Sequence, residues 1–253
     1  MKQMITAHSG CEGTDRDSLE SIYKALELNA DAIEVDIRLG KSGNIKISHN
    51  EETEEVYKTK PNIEDVFEII KDTNLIINCD VKEYRALYYL LDVANKYEIT
   101  RDRLIITGCT SVEQLVRDPE LISKAMVYIN IEEVTKYDFL SRNLSVADNI
   151  KFYDTEAVKN DILFKDFDID RVIEYCKALK VEGINIPYWI LTEEIAEKLN
   201  KANVPFSVWT VNETELARKI FKLNAKNITT RAVKAVLDAK YNQSTHISLR
   251  STL

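Results

Sequence analysis

Eight times along the 253 residues, an apolar run of strand length is followed by a helical pattern. The strands read MITAH, ADAIEVDI, LIINCDVK, RLIITGC, AMVYINI, GINIPYW, PFSVWTV and KNITT, and the helices between them include DSLESIYKALEL, NIEDVFEIIKD, EYRALYYLLDVANKY and TEEIAEKLNKAN. Such alternation demands a parallel sheet with helices packed outside it, and eight units in a chain of this length is the count of a closed (β/α)8 TIM barrel. An open doubly wound sheet is the alternative, because periodicity does not report closure. With no Pro/Gly/Ser-rich linker and no internal repeat, residues 1–253 read as one domain. Residues 132–165 are the least regular part and are expected to form a long loop with one short helix. The polar tail 242–253 is expected to fray.

Composition narrows the function classes. A net charge of −8 with no long basic run argues against nucleic acid as a partner. The four cysteines (Cys11, Cys79, Cys109, Cys176) form no CxxC pair and read as reduced. Cys79, Cys109 and Cys176 are expected in or near the core. No apolar signal segment and no run long enough to span a bilayer stand out, so the expectation is a cytoplasmic protein without stable membrane association. The oligomeric state is left open.

In a barrel of this kind, chemistry sits at the C-terminal ends of the strands. His8 ends the first strand, Glu34 and Asp36 lie near the end of the second, Asp80 and Lys82 end the third, and Trp209 and Asn212 end the seventh. A short strand inside the second strand-to-helix connection ends at His49. Glu34 and Asp36 are two apart in extended chain, so they share one face at a spacing of roughly 6.6 Å. Buried together they repel each other unless a cation lies between them. With Asp80 from the neighbouring strand they form an all-oxygen set suited to one divalent cation, Mg2+ or Ca2+. His8 and His49, two of only three histidines, fit a general acid/base pair beside that cluster. His246 falls in the tail, and Cys11 lacks an orienting partner for a nucleophile.

The segments AHSG, SLESIYKALELNADAIEVDIRLGKSGNIKISHN, PNIEDVFEII, LIINCDVK and VPFSVWTVNE, in this order from residue 6 to about residue 231, resemble the glycerophosphodiester phosphodiesterases. The resemblance implies a TIM barrel of the phospholipase C-like phosphodiesterase superfamily and a small phosphodiester as substrate. It implies a divalent metal on Glu34, Asp36 and Asp80, with Asp80 standing where the family carries Glu, and His8 and His49 as the acid/base pair. Lys82, Arg16 and Trp209 are the expected substrate-binding residues. Ser9 stands where the family carries an Arg, Asn50 where it carries Asp, and Thr230-Arg231 where it carries Thr-Asp. Another cation is therefore expected to hold phosphate: Arg16 first, with Arg38 and Arg231 as alternatives. The activity expected is cleavage of glycerophosphodiesters to an alcohol and glycerol 3-phosphate. The alternatives are a phospholipase D-like enzyme acting on lyso- or sphingolipids and a catalytically weak barrel that binds a phosphate ligand.

Overall fold

The strand sequences settle both walls of the sheet. In β2 (Ala32–Leu39), Ile33, Val35 and Ile37 are fully or almost fully buried against helices, while Glu34 and Asp36, on the opposite face, point inward. The same alternation runs through β1 (Met4–Ala7), β4 (Ile76–Val81), β5 (Leu104–Gly108), β6 (Met126–Asn130), β7 (Gly183–Pro187), β8 (Phe206–Trp209) and β9 (Asn227–Thr230). A computed structural model describes residues 3–142 and 167–248. Its strands pair in the order β1-β9-β8-β7-β6-β5-β4-β2, and a β1–β2 pairing closes the ring. All of these pairings are parallel, so the chain is a closed eight-stranded TIM barrel. The short β3 (Ile45–Ile47) folds back antiparallel on the end of β2 and delivers His49 to the mouth.

The helices start where their caps predict. Ser18, Ser111 and Thr192 each accept a hydrogen bond from a backbone N–H in the first turn of α1 (Leu19–Glu27), α5 (Val112–Arg117) and α9 (Glu193–Lys201). Asp65 accepts from the Asn62 N–H at the start of α3 (Ile63–Ile70). The remaining helices are α2 (Glu54–Tyr57), α4 (Tyr84–Lys96), α6 (Leu121–Lys124), α7 (Ile131–Arg142), α8 (Ile169–Leu179), α10 (Thr214–Lys222) and α11 (Val233–Ser248). Among the described residues, no helix is long and apolar enough to cross a membrane.

Three boundaries differ from the sequence reading. Residues 131–142, expected to be mostly loop, form α7; buried Thr135 and Asp138 sit among its apolar positions and blur the helical period. The remainder of the expected loop, 143–166, lies outside the described residues. The closing helix continues past Tyr241 to Ser248, since no Pro or Gly interrupts it; residues 249–253 also lie outside the described residues. The first helix starts at Leu19 behind its Ser18 cap rather than at Asp17, which leaves Arg16 in the preceding loop.

The inside of the barrel is polar rather than aliphatic. Thr6 donates to Asn227 Oδ1 at 2.8 Å, Asn227 to Ser207 Oγ at 3.0 Å, Thr107 to Asn78 Oδ1 at 3.1 Å and Asn185 to Asn130 Oδ1 at 2.9 Å. These pairs satisfy one another and form a floor under the mouth.

Candidate active site

Strand register brings the acidic residues together. Asp36 is the direct cross-strand partner of Asp80, and Glu34 stands one inward position below on β2. One oxygen from each of Glu34, Asp36 and Asp80 lies within 4.8 Å of the others, and no other such group of three His, Cys, Asp or Glu ligands occurs among the described residues. Lys82 Nζ lies 2.7 Å from Asp36 Oδ1 and 3.0 Å from Asp80 Oδ2. Burial opposes the charge on Lys82, but Asp80 and Asp36 outweigh it and hold the ammonium above its usual range. One lysine does not balance three carboxylates. Burial, then Asp36 and Asp80, push Glu34 well above the usual carboxylate range. Burial also raises Asp36, against Lys82.

His8 leaves β1 pointing into the same mouth, with Nε2 3.4 Å from Glu34 Oε2 and Nδ1 3.2 Å from Thr210 Oγ1. Arg231, one residue past β9, places Nη2 3.1 Å from His8 Nε2 and donates from Nε to the Ser9 carbonyl at 3.1 Å. A guanidinium only donates, so His8 Nε2 is the acceptor and the ring proton sits on Nδ1. Burial, followed by the charges of Arg231, Lys82, Arg16 and His49, pushes the imidazole down to about 3. His49 is held from three sides. Its N–H reaches Asp17 Oδ2 at 3.2 Å, its carbonyl accepts from Arg38 Nε at 3.1 Å, and its Nδ1 lies 3.0 Å from Asn50 Oδ1. Asn50 thus keeps an acceptor on the ring.

These groups share one cavity of about 340 Å3, lined among others by His8, Arg16, Glu34, Asp36, His49, Asp80, Lys82, Trp209 and Arg231. The matching sequence model is that of the Glycerophosphoryl diester phosphodiesterase family, over residues 8–235. The chain belongs to this family. Its members are phosphoric diester hydrolases, and this chain is one of them. A glycerophosphodiester phosphodiesterase of Caldanaerobacter subterraneus is 21% identical, over 91% of this chain and 94% of that protein. A crystal structure from Galdieria sulphuraria, described as a putative glycerophosphodiester phosphodiesterase, superposes with a TM-score of 0.70 at 18% identity, covering 94% of this chain and 97% of that one. A phosphodiesterase of Oleispira antarctica, solved with its product sn-glycerol-3-phosphate, gives a TM-score of 0.67 at 14% identity and covers 94% and 96%.

Within this family frame, every residue anticipated from sequence for catalysis, metal or substrate lies on the cavity wall: His8, His49, Glu34, Asp36, Asp80, Lys82, Arg16 and Trp209. Of the three arginines offered in place of the family's Arg at Ser9, Arg16 and Arg231 line the cavity. Arg38 instead spends its Nε on the His49 carbonyl, because β2 pairs with β3 at that position. Ser9 takes a structural part. Its N–H reaches Glu34 Oε2 and its hydroxyl accepts from the Asp17 N–H. Cys11 is buried, lies outside the cavity wall and turns its thiol toward Ser21, as its lack of an orienting partner anticipated.

Two carboxylates on the wall are missing from the sequence reading, Glu132 and Glu133. They directly follow the strand AMVYINI, so the strand-end rule reaches them once α7 is recognised. Glu132 Oε2 is buried with no hydrogen-bond partner. Burial pushes this carboxyl up to about 7, with Glu133 and Asp80 adding to the rise, against hydrogen bonds from its own backbone and from the Asn130 side chain.

Proposed function

We propose that this protein is a metal-dependent glycerophosphodiester phosphodiesterase that uses His8 and His49 as its proton-transfer pair and releases glycerol 3-phosphate. The observation that carries the reading is one cavity lined by both imidazoles, three convergent carboxylates and three cations. The donor set fits a hard divalent cation. It is all oxygen, it leaves an excess of buried negative charge beside Lys82, and Asp80 Oδ1 is buried without a partner. Glu34, Asp36 and Asp80 would hold Mg2+ or Ca2+, which when bound supplies positive charge to a phosphate oxygen.

The chain's own groups do the rest. Lys82, Arg231 and Arg16 bind the phosphate oxygens and stabilise the charge that develops on them. One histidine withdraws a proton from the nucleophile, a water or a neighbouring glycerol hydroxyl, and the other returns one to the departing alcohol oxygen; with the glycerol hydroxyl a cyclic phosphate forms first and water then opens it to glycerol 3-phosphate. Asn50, Asp17 and Arg38 fix the His49 loop, and Thr210 and Arg231 fix the His8 ring. Trp209 forms a flat apolar wall for an alcohol group. The test is release of glycerol 3-phosphate from a panel of glycerophosphodiesters with Mg2+, with Ca2+ and with EDTA. Undiminished release in EDTA, or none from any diester with either ion, refutes the reading.

A further inference from the structure

The mouth has two halves of different chemistry. Residues on or just beyond β9, β1, β2 and β4 supply Arg231, His8, Glu34, Asp36, Asp80 and Lys82. The opposite half, on or just beyond β6, β7 and β8, supplies Glu132, Asn185 and Trp209. In the ring order, β6 stands across the barrel from β1, so Glu132 faces the phosphate half from the far wall.

Glu132 is an unusual residue to leave there. Its Oε2 is buried, has no hydrogen-bond partner and makes no ion pair among the described residues. A buried carboxylate oxygen without a donor costs free energy unless something arrives to pair with it. A second metal ion does not fit, because Glu132 and Glu133 do not converge with a third ligand among the described residues. The neighbouring wall is aromatic. Trp209 packs edge-to-face on Trp189 at 5.6 Å, and Trp189 on Tyr188 at 5.3 Å, with Trp189 60% exposed at the rim. A carboxylate and an indole on the wall of one cavity can take an organic cation, which gains a charge partner and a ring face together.

We infer that Glu132 is a specificity-determining residue that pairs with a protonated amine on one alcohol of the diester. This rests on the proposed phosphodiesterase reading and names a substrate class within it: zwitterionic diesters whose ammonium reaches across the mouth while the phosphate stays with Lys82 and Arg231. A neutral alcohol of the same shape leaves Glu132 Oε2 without a partner.

The test compares sn-glycero-3-phosphoethanolamine with sn-glycero-3-phosphopropanol, in which a methyl group replaces the ammonium. Two readouts are taken: kcat/KM on the otherwise unaltered protein, and Kd by calorimetry on H49A, which serves to hold the diester without turnover. The amine is expected to be preferred by about tenfold in both, the size of a charge-assisted hydrogen bond. E132Q brings the preference to within about twofold and E132D restores part of it. An unchanged preference in E132Q, or an equal loss for both diesters, overturns the inference. A protein that binds with the amine preference but hydrolyses neither diester sinks the phosphodiesterase reading and leaves this one standing.

Discussion

Arg231 Nη2 lies 3.1 Å from His8 Nε2, a contact between residues 223 positions apart in the chain. The same guanidinium holds the Ser9 carbonyl, so a cation from the far end of the chain reaches the loop that follows β1. Arg231→Ala is expected to lower kcat/KM by about 10- to 150-fold, the equivalent of roughly 1.5–3 kcal/mol in transition-state binding. Arg16→Ala is expected to cost less, because Arg16 acts on His8 through charge alone and hydrogen-bonds to neither His8 nor Ser9. Steady-state kinetics on both variants check the order; a larger loss in Arg16→Ala reverses the assignment.

Glu34 is buried and crowded by Asp36 and Asp80, so its folded form holds a proton more tightly than the unfolded chain does. A raised carboxyl stabilises the fold at low pH and ceases to do so as pH rises through its folded value. At neutral pH and without metal, Glu34→Gln should therefore raise stability, on the order of 2 kcal/mol. The same substitution should abolish metal binding and activity. Urea unfolding in EDTA, paired with calorimetric titration of Mg2+ and Ca2+, reads both; a variant less stable than the parent in EDTA contradicts the repulsion argument.

Gly108 has φ +85°, and a Cβ built on it would lie 2.2 Å from Asp80 Oδ1 and 2.3 Å from the Val81 carbonyl. The Val81 backbone belongs to a central strand and does not yield. Gly108→Ala is expected to cost more than about 2 kcal/mol and to weaken metal binding by pushing Asp80 aside. Asp80→Asn, which keeps the shape, should weaken metal binding with little change in stability. Equal metal affinity in Gly108→Ala and the parent would show that Asp80 is not a ligand.

Glu132 predicts a pH signature outside the carboxylate cluster. Its folded value of about 7 lies above the ordinary 4.5, so its contribution to stability is full below about 4.5 and is lost as pH rises toward and past 7. In EDTA, the stability difference between the parent and Glu132→Gln should grow in favour of the variant by about 2–3 kcal/mol from pH 5 to pH 8. Glu34 and Asp36 shift the same way but are present in both proteins, so they cancel in the difference. Denaturant unfolding at the two pH values decides it; a difference that does not change with pH means Glu132 titrates normally.

Legibility in the sequence followed periodicity. The two-residue spacing of Glu34 and Asp36 placed them on one face, and flanking Ile33, Val35 and Ile37 said that the other face was packed. Ser18, Ser111 and Thr192 marked helix starts through local chemistry. What escaped depends on ring closure or on buried polar groups. Arg231 reaches His8 because β9 pairs with β1, a relation no local pattern carries. Glu132 was hidden by the weak periodicity of α7, where Asp138 is buried because Arg171 and Tyr175 satisfy it. Arg38 has the right parity for the mouth, but the β3 hairpin takes the end of β2 outward.

The β1–β9 seam also sets an order of events during synthesis. β1 emerges from the ribosome early and keeps one edge unpaired until residues 227–230 arrive. The Glu34, Asp36 and Asp80 cluster needs only neighbouring β2 and β4, so it is available to form well before that. Closing a loop of more than 200 residues costs entropy that only ring completion repays, which makes it a late step. A nascent chain therefore acquires its carboxylate trap, with Lys82, first and the Arg231 arm of its phosphate clamp last. Until the final strand zips in, it carries an open sheet edge that invites pairing with other chains.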